Sequence, residues 1–133
     1  MVEITKAPSG VQFVVAFLKA QYLIYGETAS VGSKVRDPRP PKFTKVRQLG
    51  LRRELSRAAP MLVFECWGND DLAAENLGIL TESLINSLPD LDGRCTRVVE
   101  VGGLYSQDDP ISGSPRWIFT KQIYLPLQIT VAV

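Results

Sequence analysis

Residues 60–88 read PMLVFECWGNDDLAAENLGILTESLINSL, and a change of period inside this stretch decides the fold. Met61 to Trp67 is apolar and rich in β-favouring side chains, opened by Pro60 and closed by Gly68 and Asn69, which predicts a strand. Asp70 and Asp71 follow where negative charge suits the positive end of a helix dipole. Leu72, Ala73, Leu77, Leu80, Leu84 and Leu88 then recur at helical spacing, predicting a helix to about Leu88. Pro89-Asp90-Leu91-Asp92-Gly93 predicts a turn.

Toward the N-terminus, Ser9 and Gln12 have the spacing of a capping box. Val11, Val14, Val15, Leu18, Tyr22 and Tyr25 form a helical stripe after them, and Gly26 suits the position just past the end. Phe13, Phe17 and Ile24 lie off that stripe, so the apolar face is wide enough to be covered on two sides. Thr28 to Val35 reads as a short strand interrupted by Gly32. Asp37-Pro38-Arg39-Pro40-Pro41 excludes helix and central strand, because proline lacks the N–H and restricts the residue before it. Phe43 to Leu51 alternates only partly, and the region from about Ser33 to Arg57 is expected as a long loop flanked by strand edges.

Toward the C-terminus, Arg94 to Val101 and Arg116 to Leu125 alternate as strands, joined across Gly102-Gly103 and the polar run Ser106 to Pro115. After Pro126 the alternation resumes at Leu127, Ile129, Val131 and Val133, a strand extension over 126–133. Leu127 and Ile129 are expected to continue the chain's own sheet, since a free apolar edge invites association. The order helix, strand, helix, strands predicts an α+β fold, mostly antiparallel, with two main helices packed on one face of the sheet.

The 133 residues fit one domain, 1–133, with 45% hydrophobic and 22% charged residues, enough for a core without metal or disulfide. Cys66 and Cys95 fall in predicted strands and read as buried, reduced thiols. There is no histidine, which removes Ser–His and Cys–His nucleophile pairs, and two cysteines fall short of the four ligands a structural zinc takes. No catalytic, cofactor-binding or metal-binding residue is expected. No apolar run reaches the roughly 18 residues of a membrane span, so synthesis in a cytosol and no membrane partner are expected. Asp108-Asp109, before Pro110 and Ser112-Gly113-Ser114-Pro115, reads as turn chemistry. Trp67 and Trp117 read as core or interface aromatics.

The net charge of +1 hides a split. Residues 1–60 carry 11 Lys/Arg against 4 Asp/Glu, a net of +7, and residues 61–133 carry 4 against 10, a net of −6. Such polarity suits an oppositely charged partner, or head-to-tail association of copies. The basic side is concentrated in Lys34, Arg36, Arg39, Lys42, Lys45, Arg47, Arg52, Arg53 and Arg57. All but Arg57 are taken as the candidate partner or subunit interface. Phe43 is the lone aromatic among them, so the stacking platform of single-strand binders is missing. A basic nucleic-acid-binding module and a carboxylate enzyme remain the competing classes.

Three features together resemble the tail terminator, or tail completion, proteins of long-tailed bacteriophages. They are Phe64-Glu65-Cys66-Trp67-Gly68 leading into an Ala-rich helix, the strand Val98-Val99-Glu100-Val101-Gly102-Gly103, and Asp108-Asp109-Pro110-Ile111-Ser112-Gly113-Ser114-Pro115-Arg116-Trp117-Ile118-Phe119. The resemblance covers about residues 10–125. It implies a non-enzymatic virion protein at the head-proximal end of the tail, made in the host cytoplasm. It further implies a homohexameric ring that caps the tail tube, stops elongation and docks the head connector. Its partners would be copies of itself, the major tail tube protein and the connector, with DNA only as cargo passing the lumen. Another head–tail joining protein is the nearest alternative.

Overall fold

The computed structural model describes residues 2–35 and 38–131. The chain runs β1 (Glu3–Lys6), α1 (Gly10–Ile24), β2 (Ser30–Gly32), β3 (Phe43–Arg53), β4 (Arg57–Trp67), α2 (Asp71–Asn86), α3 (Leu88–Leu91), β5 (Arg97–Ser106), β6 (Arg116–Pro126) and β7 (Gln128–Val131). Five strands form one sheet in the order β2-β3-β4-β6-β5, with β2 parallel to β3 and every other pair antiparallel. The fold is therefore α+β, mostly antiparallel with two main helices, as the periodicities predict.

Each helix begins and ends for a local chemical reason. The Ser9 hydroxyl accepts from the Gln12 N–H at 3.2 Å, and the Asp70 carboxylate accepts from the Ala73 N–H at 2.7 Å. At the end of α1, Gly26 takes a φ of 70°, which lets the Glu27 N–H reach back to the Tyr22 carbonyl at 2.8 Å. Gly68, between β4 and α2, is a close approach. A Cβ there would stand 2.6 Å from the Ala74 nitrogen, so the step from strand to helix needs glycine.

The core lies between the sheet and the helices. Val14, Phe17, Leu18 and Tyr22 of α1 and Leu77, Leu84 and Ile85 of α2 close over Val46, Leu62, Phe64, Cys66, Phe119, Ile123 and Leu125. Phe64 and Phe119 stack across the β4–β6 ladder with ring centroids 4.7 Å apart. Burying side chains of this size contributes about 1.5–3 kcal/mol each. A polar knot sits inside this apolar layer: the Tyr22 hydroxyl bonds Thr44 Oγ1 at 2.8 Å and Thr81 Oγ1, tying α1, β3 and α2 together. Burial pushes the Tyr22 hydroxyl far above its ordinary value and raises the Cys66 thiol to about 12. Cys66 and Cys95 are free buried thiols.

Four expectations need correction. Residues 33–57 are not one long basic loop, because 43–53 is an eleven-residue strand paired along β4. Its alternation is masked by a bulge, where the register shifts between Gln48 and Gly50 and leaves Leu49 unpaired. β4 begins at Arg57, not at Met61. Pro60 pairs with Leu51 on the β3 side, the β6 ladder skips Ala59 and Pro60, and Gln122 Nε2 donates to the Ala59 carbonyl at 3.2 Å instead. β5 begins at Arg97 and continues past Val101 to Ser106 through two register shifts at Gly102. Arg94, expected to open that strand, is bound to Asp92 at 2.8 Å.

The last correction concerns the C-terminus. Ile129 does not extend the five-stranded sheet; β7 pairs with β1 in a separate two-stranded ribbon. By Pro126 the flanking β4 has reached its first residue, Arg57, and its chain turns away into the β3–β4 hairpin. The Leu127 N–H still reaches the Ser56 carbonyl at 3.3 Å, after which β1 is the remaining partner. Of the strand extension over 126–133, Ala132 and Val133 lie outside the described residues.

Candidate interaction surfaces

The basic residues singled out from the sequence are not one patch. Those at the start of β3 and before it are held against the sheet. Lys42 Nζ pairs with Glu27 at 2.8 Å, and Arg47 Nε pairs with Glu65 at 2.9 Å. Burial acts to raise the Glu27 carboxyl, but the bonds from Lys42 and the Ala29 N–H outweigh it and hold the group below its ordinary value. Arg39 donates to Ser114 and lies over the Trp67 ring, 5.6 Å from its centroid. Lys45 faces Glu65 across the ladder, although the Glu65 ion pairs go to Arg47 and Arg116. Lys34 is exposed beyond β2, and Arg36 lies outside the described residues.

Glu65 is the hub of the sheet face away from the helices. Arg116 Nη1 binds its second oxygen at 3.0 Å. Trp67 is next to this network, stacked on Phe43 at 5.0 Å, with Arg116 5.3 Å from its ring centroid. The Asp108–Ser114 stretch is turn chemistry, as expected. Asp109 accepts from the Ser112 N–H at 2.9 Å and its hydroxyl at 2.6 Å, and Gly113 adopts a φ of 71°. Trp117 is anchored by its indole N–H on Asp71 at 3.1 Å. These arrangements bind the fold together.

Arg52 and Arg53 belong to a different place, the tip of the β3–β4 hairpin. There the side chains surrounding them are apolar and exposed: Leu49, Leu51 and Leu55, the last at 99%. The β1–β7 ribbon lies alongside, tied by Arg53 Nη2 to the Thr5 carbonyl at 2.7 Å. Every residue of β1 is exposed, and Ile4 and Ile129 are 55% and 68% accessible. One end of the molecule thus presents leucines and isoleucines set among Lys6, Arg52, Arg53 and Arg57. Sequence reasoning named all three arginines, and placed Arg52 and Arg53 in the candidate interface, but missed the apolar residues between them. The available signal was the run Leu49-Gly50-Leu51 beside Leu55, too apolar for a solvated loop.

A second surface has the opposite sign. From Ala58 to Gly93 the sequence has seven acidic residues and no lysine or arginine. On the outer side of α2, Leu72 and Ile79 are 63% and 51% exposed, with Glu75 between them. An open groove of about 670 Å³ lies where α1 ends, lined by Lys19, Tyr22, Leu23, Val31, Lys34 and Phe43. Among the described residues no group of three or more Cys, Asp or Glu converges as a metal site, and no helix is long and apolar enough to cross a membrane. No protein-family model matches the chain and no curated protein matches it.

Proposed function

We propose that this chain is a structural subunit of a bacteriophage tail, a tail terminator. Copies would form a ring, six-membered by the resemblance, that caps the tail tube, stops its elongation and receives the head connector. The observation that carries an assembly role is the hairpin and ribbon end. Exposed leucine and isoleucine side chains set among arginines at one end are expensive to leave in water and mark a docking surface. The tail-specific part rests on the sequence resemblance, whose third feature forms the turn and the start of β6.

The basic residues are better suited to this role than to duplex binding. Lys42 and Arg47 point at carboxylates of their own chain, and Arg39 at Trp67 and Ser114, so they do not form a continuous phosphate-facing stripe. The test is a length assay. Purified chain is added to polymerising tail tube protein of the same phage, and tubes are measured by electron microscopy. Shortened tubes with density at one end are the expected result. An unchanged length distribution with bare ends would refute the reading.

A further inference from the structure

We propose that the hairpin and ribbon end of one copy docks on the outer face of α2 of a second copy, head to tail. The inference rests on the ring reading and adds to it the two surfaces that meet.

The ribbon is the first argument. A two-stranded antiparallel pair is marginal in water unless another surface covers it. In this one, Ile4 stands opposite Thr130 and Thr5 opposite Ile129, so by alternation the two isoleucines point to opposite faces. Both are exposed, so neither face is covered by the described residues of the subunit. The hairpin tip beside it adds Leu51 and Leu55, also exposed. An element built this way gains its apolar burial from outside the chain.

The second argument is complementarity. The hairpin end carries Lys6, Arg52, Arg53 and Arg57 against Glu3 and Glu54, and Glu54 is already paired with Arg57 at 3.4 Å. Leu72, Glu75 and Ile79 on α2 stand at i, i+3 and i+7, which sets them along one stripe, with Glu82 at its flank already paired to Lys121 at 3.5 Å. That stripe is apolar and acidic where the hairpin end is apolar and basic. Both surfaces belong to this chain, yet they do not meet inside one copy. The hairpin adjoins the first residue of β4, whereas α2 starts just after its last and runs back along the sheet with this stripe turned outward, away from the strands. α2 packs on β4, β5, β6 and the other helices, and β1 and β7 pack on each other. Two different surfaces that fit one another across copies make a heterologous contact, the kind that closes rings.

An anionic membrane would also attract an apolar and basic end, but it leaves the acidic α2 face with no role. The second copy accounts for both surfaces.

The test uses two variants altered only at exposed positions, both checked for wild-type melting. One carries Arg52→Glu and Leu55→Asp; the other carries Leu72→Ser and Ile79→Lys. Sedimentation velocity is run on each alone, on their equimolar mixture and on the wild type. The wild type should self-associate more weakly as salt rises, and each variant alone should associate at least about tenfold more weakly. The mixture retains one intact hairpin and one intact helix face, so it should form dimers that grow no further. A mixture that stays monomeric, or a variant that associates like the wild type, overturns the proposed contact. In the second case the ring reading survives with a different interface. A wild type monomeric at millimolar concentration also overturns it, leaving the tail reading to the tube-length assay. Binding of that monomer to phosphatidylserine vesicles, lost in the hairpin variant, would assign the end to a membrane instead.

Discussion

Glu65 and Arg116 meet diagonally across the β4–β6 ladder, where Glu65 pairs with Ile118 and Arg116 with Trp67, with 3.0 Å between Oε1 and Nη1, and Arg47 closes on the other carboxylate oxygen from β3. The carboxylate joins the three central strands on the face that no helix covers. Its side chain is almost wholly buried, and Arg116 is nearly so. Removing the acid leaves that arginine desolvated, with Asp109 as its next carboxylate at 3.9 Å. Glu65→Gln should therefore cost roughly 3 kcal/mol, a fall in Tm of about 10 °C. Urea melts of the two proteins check this; a loss below about 0.5 kcal/mol would show the network to be incidental.

The buried hydroxyl and thiol beneath α1 set an alkaline limit. Cys66 is raised by burial from 9.0 to about 12, and burial also raises Tyr22. Both groups are neutral when protonated, and the native state keeps those protons to higher pH than the unfolded chain does. Above about pH 9 the unfolded state has fewer protons bound, so stability falls as pH rises. At full difference each group contributes about 1.4 kcal/mol per pH unit. Unfolding free energies measured at pH 8 and pH 10 should show this decline, and Cys66→Ala should flatten the part that starts near pH 9. An identical slope in that variant would contradict the assignment.

Gly68→Ala should be among the most damaging small substitutions. The added methyl meets the Ala74 nitrogen at 2.6 Å, a backbone atom that cannot move without shifting the start of α2. A cost of about 3 kcal/mol is expected. Gly93→Ala is the control, since nothing lies within 4 Å of its Cβ position. Thermal melts of the pair should separate them widely; equal Tm values would mean that the turn relaxes freely.

How far the sequence foretold this fold depends on pattern length. α1, α2 and β6 span two or more periods without interruption, so their side chains repeat the face they bury. β3 escaped because the bulge at Leu49 shifts the register halfway, after which Leu51, Arg52 and Arg53 are all exposed and no buried face repeats. β1 has four exposed residues and no face to read, so its pairing with β7 is visible only in space. For the same reason the candidate surface was half legible. Charge can be counted along the chain, but Lys42 and Arg53 differ in what stands opposite them, Glu27 in one case and an exposed ribbon in the other.

That difference makes the basic residues separable by experiment. Lys42→Gln with Arg47→Gln removes two partly exposed ion pairs and leaves Glu27 and Glu65 with fewer donors, for a loss of about 1 kcal/mol after solvent screening. Arg52→Gln and Lys34→Gln remove exposed charges that pair with no carboxylate among the described residues, and should change stability by less than about 0.5 kcal/mol. Assembly should respond in the opposite sense, with Arg52→Gln weakening self-association measured by sedimentation and the Lys42/Arg47 pair leaving it near wild type once folded. If both pairs acted alike on stability and on association, the basic segment would be one surface after all, and the division between sheet-bound and hairpin charges would fail.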